Sequence, residues 1–245
     1  MADFAFVHGG GQGGWVWAGC IAELERQSGG TARCLALDVP GCGAKRGRDT
    51  SEIAFDDIAY ELVDDVRAVG LTDALLVGHS QAGMVLPQMA KIAPELFRKL
   101  VFLTCSAPRP GHSTLDQMGM ALHGANPDQV GWPVDPLTSS IEERFAVMFC
   151  NDMDDAAATA FLAQLGKDMW PQVSYEHSDW RRDHLAAMPV TYIKCLQDMS
   201  LPPDWQDRFA RRLHTDEMVE LDCGHQAMTT KPAELAAILL AQAGD

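Results

Sequence analysis

Short apolar runs recur along the first hundred residues, each closed by glycine, proline or a polar cluster. Phe4-Ala5-Phe6-Val7 is the first. Residues 34–37 form the second, ending at Asp38-Val39-Pro40-Gly41, and residues 74–77 and 100–103 form the third and fourth. Runs of this length suit strands. Between them the apolar spacing changes to that of a helix. Residues 18–27 read as one. Phe55, Ile58, Ala59, Leu62, Val63 and Val66 predict an amphipathic helix over 55–69, with Gly70 as its stop. A further helix is expected from the apolar pattern Met84-Val85-Leu86. Unbroken apolar strands alternating with helices predict a parallel sheet covered on both faces.

The rhythm stops at Pro108. From there to Met188 no buried strand is predicted, but residues 141–149 and 154–165 are rich in helix formers. Alternation then resumes with a strand at 190–195, a helix at 204–212, a strand at 218–221 and a closing helix at 232–243 that starts on Pro232. The expected organisation is one α/β core in two pieces, 1–107 and 190–245, with a helical lid inserted over 108–189.

A chain of 245 residues with 47% hydrophobic content is the right size for such a domain. No apolar run approaches the length of a membrane span, and the N-terminus has no basic, apolar leader. The seven cysteines are scattered, odd in number and without a C-x-x-C pair, which points to free thiols in a reducing, cytoplasmic setting. Cys223-Gly224-His225 is too sparse for a zinc site, so no metal is expected. A formal net charge of −15 argues against nucleic acid and anionic membrane surfaces as partners. A homodimer is left open.

Gly9, Gly11 and Gly14 match G-x-G-x-x-G after a strand, and Asp38 ends the next strand, where a ribose-binding acid would stand. Against a dinucleotide site, His8 precedes the glycines and Asp38 runs directly into the turn Pro40-Gly41-Cys42-Gly43. The plainer reading is a mobile glycine loop, and a third makes it part of an acyl-transfer site.

That third reading depends on Gly78-His79-Ser80-Gln81-Ala82, close to the nucleophile elbow G-x-S-x-G. Such a turn from strand to helix is so tight that the residues two before and two after the serine must be small, and Gly78 and Ala82 are. The alternative is an ordinary small turn. A serine hydroxyl needs a general base and a third group that orients it. Of eight histidines, His225 alone follows a strand that comes after the serine, in Asp222-Cys223-Gly224-His225. His8 and His79 precede Ser80 and read as structural. His112, His123, His177 and His184 fall in the insertion, and His214 at a helix end. For the acid, Asp198 follows the strand 190–195, whereas Asp222 is so near His225 in sequence that the two should point apart. The preceding strand end, Thr104-Cys105-Ser106-Ala107, offers no carboxylate.

With these residues placed, the sequence resembles the α/β-hydrolase superfamily over essentially its whole length, within it the group of plant methylesterases and hydroxynitrile lyases. The likeness is carried by Val7-His8-Gly9-Gly10 with Trp15 and Trp17, by Asp38-Val39-Pro40-Gly41, Gly78-His79-Ser80, Gln197-Asp198 with Leu201-Pro202, and Gly224-His225-Gln226-Ala227-Met228. It implies the α/β-hydrolase fold, Ser80 as nucleophile, His225 as base, Asp198 as orienter and no cofactor. It also implies an oxyanion hole from the backbone N–H groups of Gly10 and Gln81. The lyases of the group carry a threonine where this chain has Gly9 and a lysine where it has Gln226, so cyanogenesis is not expected.

The resulting expectation is a serine carboxylesterase for a small apolar or aromatic ester. The pocket is expected to draw on Gly9, Trp132, Phe145, Phe149 and Gln226. Met118, Met120, Met148, Met169 and Trp170 add to the lid's apolar content, and helical spacing makes more of the lid's large apolar residues lid core than pocket wall. Lactone, thioester and carbon–carbon bond hydrolysis use the same triad. A ligand receptor on this fold with slow turnover is the competing class.

Overall fold

The computed structural model describes residues 2–244. Six strands form one sheet: β1 (Asp3–Val7), β2 (Arg33–Leu37), β3 (Ala74–His79), β4 (Phe97–Leu103), β5 (Val190–Cys195) and β6 (Glu217–Leu221). Their order is β2-β1-β3-β4-β5-β6, and every neighbouring pair is parallel. The helices between and after them are α1 (Ala18–Gln27), α2 (Phe55–Ala68), α3 (Leu86–Ile92), α4 (Thr114–Met118), α5 (Ile141–Cys150), α6 (Asp155–Leu162), α7 (Val173–Glu176), α8 (Pro203–Arg212), α9 (Ala227–Thr230) and α10 (Pro232–Gly244).

Side chains alternate across a strand, so each strand feeds two cores. Phe4, Phe6, Leu75, Val77, Val101 and Ile193 pack with Leu24 of α1 and Leu235 and Leu239 of α10. Ala5, Val7, Leu76, Leu100, Phe102 and Tyr192 pack with Ile58 and Leu62 of α2, Met89 of α3 and Phe209 of α8. Cover on both faces is why β1 and β3 read as unbroken apolar runs. The edge strands differ: β6 leaves Met218 exposed.

Two expectations shift. The segment after Ser80 is a 3₁₀ turn, Ser80–Met84, and the α-helix starts only at Leu86, with Pro87 in its first turn. The helix expected over 154–165 ends at Leu162 and passes into turns that end at Gly166, whose φ of +79° is glycine territory. Between β4 and β5, residues 108–189 hold α4 to α7 and no strand of the sheet. Gly111 N–H donates to the Ser178 carbonyl at 2.9 Å, tying the start of this insertion to its end. All seven cysteines are unpaired.

Candidate active site

Five loops converge at the C-terminal edge of the sheet, where parallel α/β sheets build their sites. Ser80 follows β3, Thr104 follows β4, Asp198 follows β5, His225 follows β6, and the glycine loop follows β1.

The elbow is as tight as its small residues imply. Ser80 sits at φ +53°, a conformation few non-glycine residues adopt. Its carbonyl accepts the Ser106 N–H at 2.9 Å, which holds the strained turn against β4. A methyl at Gly78 would come within 2.6 Å of Leu86 and 2.9 Å of Ala82, and one at Gly83 within 2.3 Å of the Ser106 carbonyl. Ala82 itself is accommodated, fully buried.

The three side chains lie in one hydrogen-bonded line. Ser80 Oγ is 3.0 Å from His225 Nε2, and His225 Nδ1 is 2.7 Å from Asp198 Oδ2. His225 and Asp198 are almost wholly buried. The other carboxylate oxygen, Oδ1, accepts the N–H groups of Ser200 and Leu201 at 2.7 and 2.8 Å, and Thr104 Oγ1 donates to Oδ2 at 2.5 Å. Both carboxylate oxygens are thus engaged. Asp222 is exposed and accepts from Gln197 Nε2 at 2.7 Å, away from His225.

Two further histidines support the site without entering it. His79 Nε2 donates to the His225 carbonyl at 2.9 Å. Burial first, and then the nearby His225, hold its pKa well below 6.5, so it stays neutral beside His225. His8 Nε2 accepts the Val39 N–H at 3.2 Å, which leaves Nδ1–H to donate to the Gly9 carbonyl at 2.8 Å. Trp170 Nε1 donates to that same carbonyl at 3.1 Å. The glycine loop is thereby held from both sides. Asp38 is spent on it as well: Oδ1 accepts from Gly14 N–H at 2.7 Å and Oδ2 from Ala44 N–H at 2.9 Å. An acid so engaged does not face a ribose.

Gly10 is packed against the residue after the serine. A methyl at Gly10 would lie 2.2 Å from Gln81 Oε1. Gln81 is the second residue of the 3₁₀ turn, where backbone N–H groups lack a helical partner. The loop and the elbow thus stand side by side, as an oxyanion hole requires.

Ser80 opens on a cavity of about 340 Å³ between the sheet and the insertion. Its walls include Gly10, Gln81, Met118, Trp132, Phe145, Met148, Phe149, Met169, Tyr175 and Leu201. Among the described residues, no charged side chain lines it. Phe149 also flanks His225, the two ring centroids 5.5 Å apart. Of the residues expected in the pocket, Trp132, Phe145 and Phe149 are there. Gly9 and Gln226 are not, and that expectation is corrected. Gly9 faces the His79 ring and Ser80 Cβ, where a methyl would come within 2.9 and 3.0 Å. Gln226 is fully buried, with neither amide atom hydrogen-bonded, and does not line the cavity. Among the insertion's other large apolar residues, Met120 is exposed and Trp170 belongs to the core.

The sequence reading missed three contributors. Thr104 is one, visible only as a polar residue ending an apolar strand. Asn151 and Asp152, at the end of α5, are the others. Asn151 Nδ2 donates to the Gln197 carbonyl at 2.8 Å, and Asp152 Oδ2 accepts the Gly224 N–H at 2.7 Å. The insertion therefore holds the Asp198 loop and the His225 loop together.

Comparisons with known proteins agree with this architecture. The chain is 27% identical over 262 residues to a carbendazim hydrolyzing esterase of a Nocardioides species, covering 98% of this chain and 99% of that protein. It is 25% identical to polyneuridine aldehyde esterase of Rauvolfia serpentina, covering 97% and 94%. Among solved structures, a methylesterase from Arabidopsis superposes with a TM-score of 0.76 at 20% identity, covering 100% and 99%. A pyrethroid hydrolase from Sphingobium faniae also gives 0.76, at 21% identity over 99% and 97%. A model of the alpha/beta hydrolase family matches residues 4–238, and the chain belongs to that family.

Proposed function

We propose that this esterase-type hydrolase is a cofactor-independent serine carboxylesterase acting on small, uncharged, apolar or aromatic esters. The observation that carries the reading is the line Ser80–His225–Asp198 opening on an uncharged apolar cavity. Ser80 Oγ attacks the ester carbonyl while His225 Nε2 takes its proton. Asp198 holds the imidazole in the tautomer with hydrogen on Nδ1 and stabilises the imidazolium. The oxyanion is received by the N–H groups of Gly10 and Gln81. His225 then protonates the departing alcohol, and water repeats the sequence on the acyl-enzyme.

The cavity supports the substrate class. At about 340 Å³ it is near the small end of ligand pockets. A carboxylate or ammonium on the substrate would be desolvated there without a partner. The relatives' names point the same way: one is a carbendazim hydrolyzing esterase, others are methylesterases and a pyrethroid hydrolase.

The test is a fluorophosphonate label followed by turnover of a panel of methyl and aryl esters. One label at Ser80, lost in Ser80→Ala together with ester turnover, is expected. Turnover that survives Ser80→Ala would refute the reading.

A further inference from the structure

The insertion places a phenol beside the two N–H groups. Tyr175, on α7, lines the same cavity as Ser80, Gly10 and Gln81. Its hydroxyl lies 3.7 Å from where a Gly10 methyl would be, so it stands over the glycine loop. Gln81 joins these groups. Its Nε2 donates to Ser174 Oγ at 3.2 Å, and Ser174, fully buried, gives its own hydrogen to the Pro171 carbonyl at 2.8 Å. Ser174 can then only accept, which fixes the Gln81 amide with its nitrogen toward α7 and its oxygen against Gly10. Burial pushes the Tyr175 phenol pKa up, so the hydroxyl keeps its hydrogen. A protonated phenol has that one hydrogen to give to an acceptor.

We propose that the Tyr175 hydroxyl is a third donor to the substrate carbonyl oxygen as it becomes an oxyanion, beside the N–H groups of Gly10 and Gln81. The Gln81 side chain, hydrogen-bonded to Ser174 next to Tyr175 in α7, is its positioning residue. This rests on the Ser80 reading above. It makes the site complete only with α7 docked, because two donors come from the core and one from the insertion.

The test compares Tyr175→Phe, which keeps the ring and removes only the hydroxyl, with the unaltered protein. Steady-state kinetics on a methyl ester are measured beside inhibition by a trifluoromethyl ketone, whose serine adduct carries the oxyanion, and by the matching methyl carbinol, which forms none. The expected result is a kcat lower by about 10²-fold at unchanged KM. Ketone affinity should fall by the factor lost from kcat/KM, and carbinol affinity should hold. Gln81→Met, which retains the backbone N–H, should move kcat and ketone affinity in the same direction. Unchanged kcat in Tyr175→Phe, or a change confined to KM, would overturn the proposal while leaving Ser80 untouched. Activity that survives Ser80→Ala would instead remove the reading on which it rests.

Discussion

Thr104 Oγ1 donates to Asp198 Oδ2 at 2.5 Å, the same oxygen that lies 2.7 Å from His225 Nδ1. One carboxylate oxygen thus serves two donors, and β4 supplies a hydroxyl where it has no acid. Hydrogen bonds to charged groups contribute about 1.5–3 kcal/mol. Thr104→Ala should lower stability by about that amount and kcat by about tenfold. Thr104→Ser should restore both. Urea unfolding and kcat on one ester measure the two effects, and a serine variant no better than alanine would count against the bond.

Asp198 and Asp222 separate cleanly. Asp198→Asn should leave the fold intact and lower kcat by about 10⁴-fold, because the amide favours the wrong imidazole tautomer. Asp222 is exposed, and among the described residues its side chain hydrogen-bonds to Gln197 alone. Asp222→Asn should stay within about twofold. Kinetics of the two variants on the same substrate decide the matter.

The approach of Gln81 to Gly10 gives a third expectation. In Gly10→Ala the new methyl would press within 2.2 Å of Gln81 Oε1, so either the loop or the amide must shift. Misplacing an oxyanion donor costs about 10²–10³ in kcat. Fluorophosphonate labelling, which also forms an oxyanion-like adduct, should slow with it. Circular dichroism should show the fold unchanged.

The elbow should be sensitive on one side and tolerant on the other. Gly78→Ala would overpack Leu86 and Ala82 and should cost about 1–3 kcal/mol. Ala82→Gly removes a buried methyl without crowding anything and should cost about 1 kcal/mol. The two urea midpoints should fall in that order.

Stability should decline as the solution is acidified. The folded state holds His79 well below its ordinary 6.5, and His8 is lowered too, in both cases chiefly by burial. Unfolded chains therefore bind protons that the folded protein does not, and the stability these groups supply is complete above pH 6.5 and is lost progressively below it. The unfolding midpoint should fall from pH 7 to pH 5. His79→Gln, which keeps a donor for the His225 carbonyl, should flatten that slope.

Much of the site was legible because its signals are local. Strand, elbow and helix around Ser80 follow from neighbouring sterics: an apolar run, then small residues where nothing larger fits. His225 and Asp198 were singled out by their places after strands, and a parallel sheet gathers all such ends at one edge, where the two side chains meet Ser80 in one hydrogen-bonded line. The helix over 18–27 and the strand over 190–195 need only the spacing of apolar residues, and the structure has them with those bounds.

The rest is decided by contacts between residues far apart in the chain. Nothing in the sequence near Thr104 shows that its hydroxyl meets a carboxylate 94 positions later, or that Asp152 meets Gly224 across 72. Gly9 and Gln226 adjoin residues of the site in sequence, yet one is pressed against His79 and the other is fully buried without lining the cavity. Met118 and Met120 differ by two positions, and the fold sends one into the cavity and the other to solvent. Composition makes the insertion helical and apolar. Which of its side chains turn toward Ser80 depends on how short helices dock on the sheet's edge, and docking is a property of shape and volume that no spacing along the chain encodes.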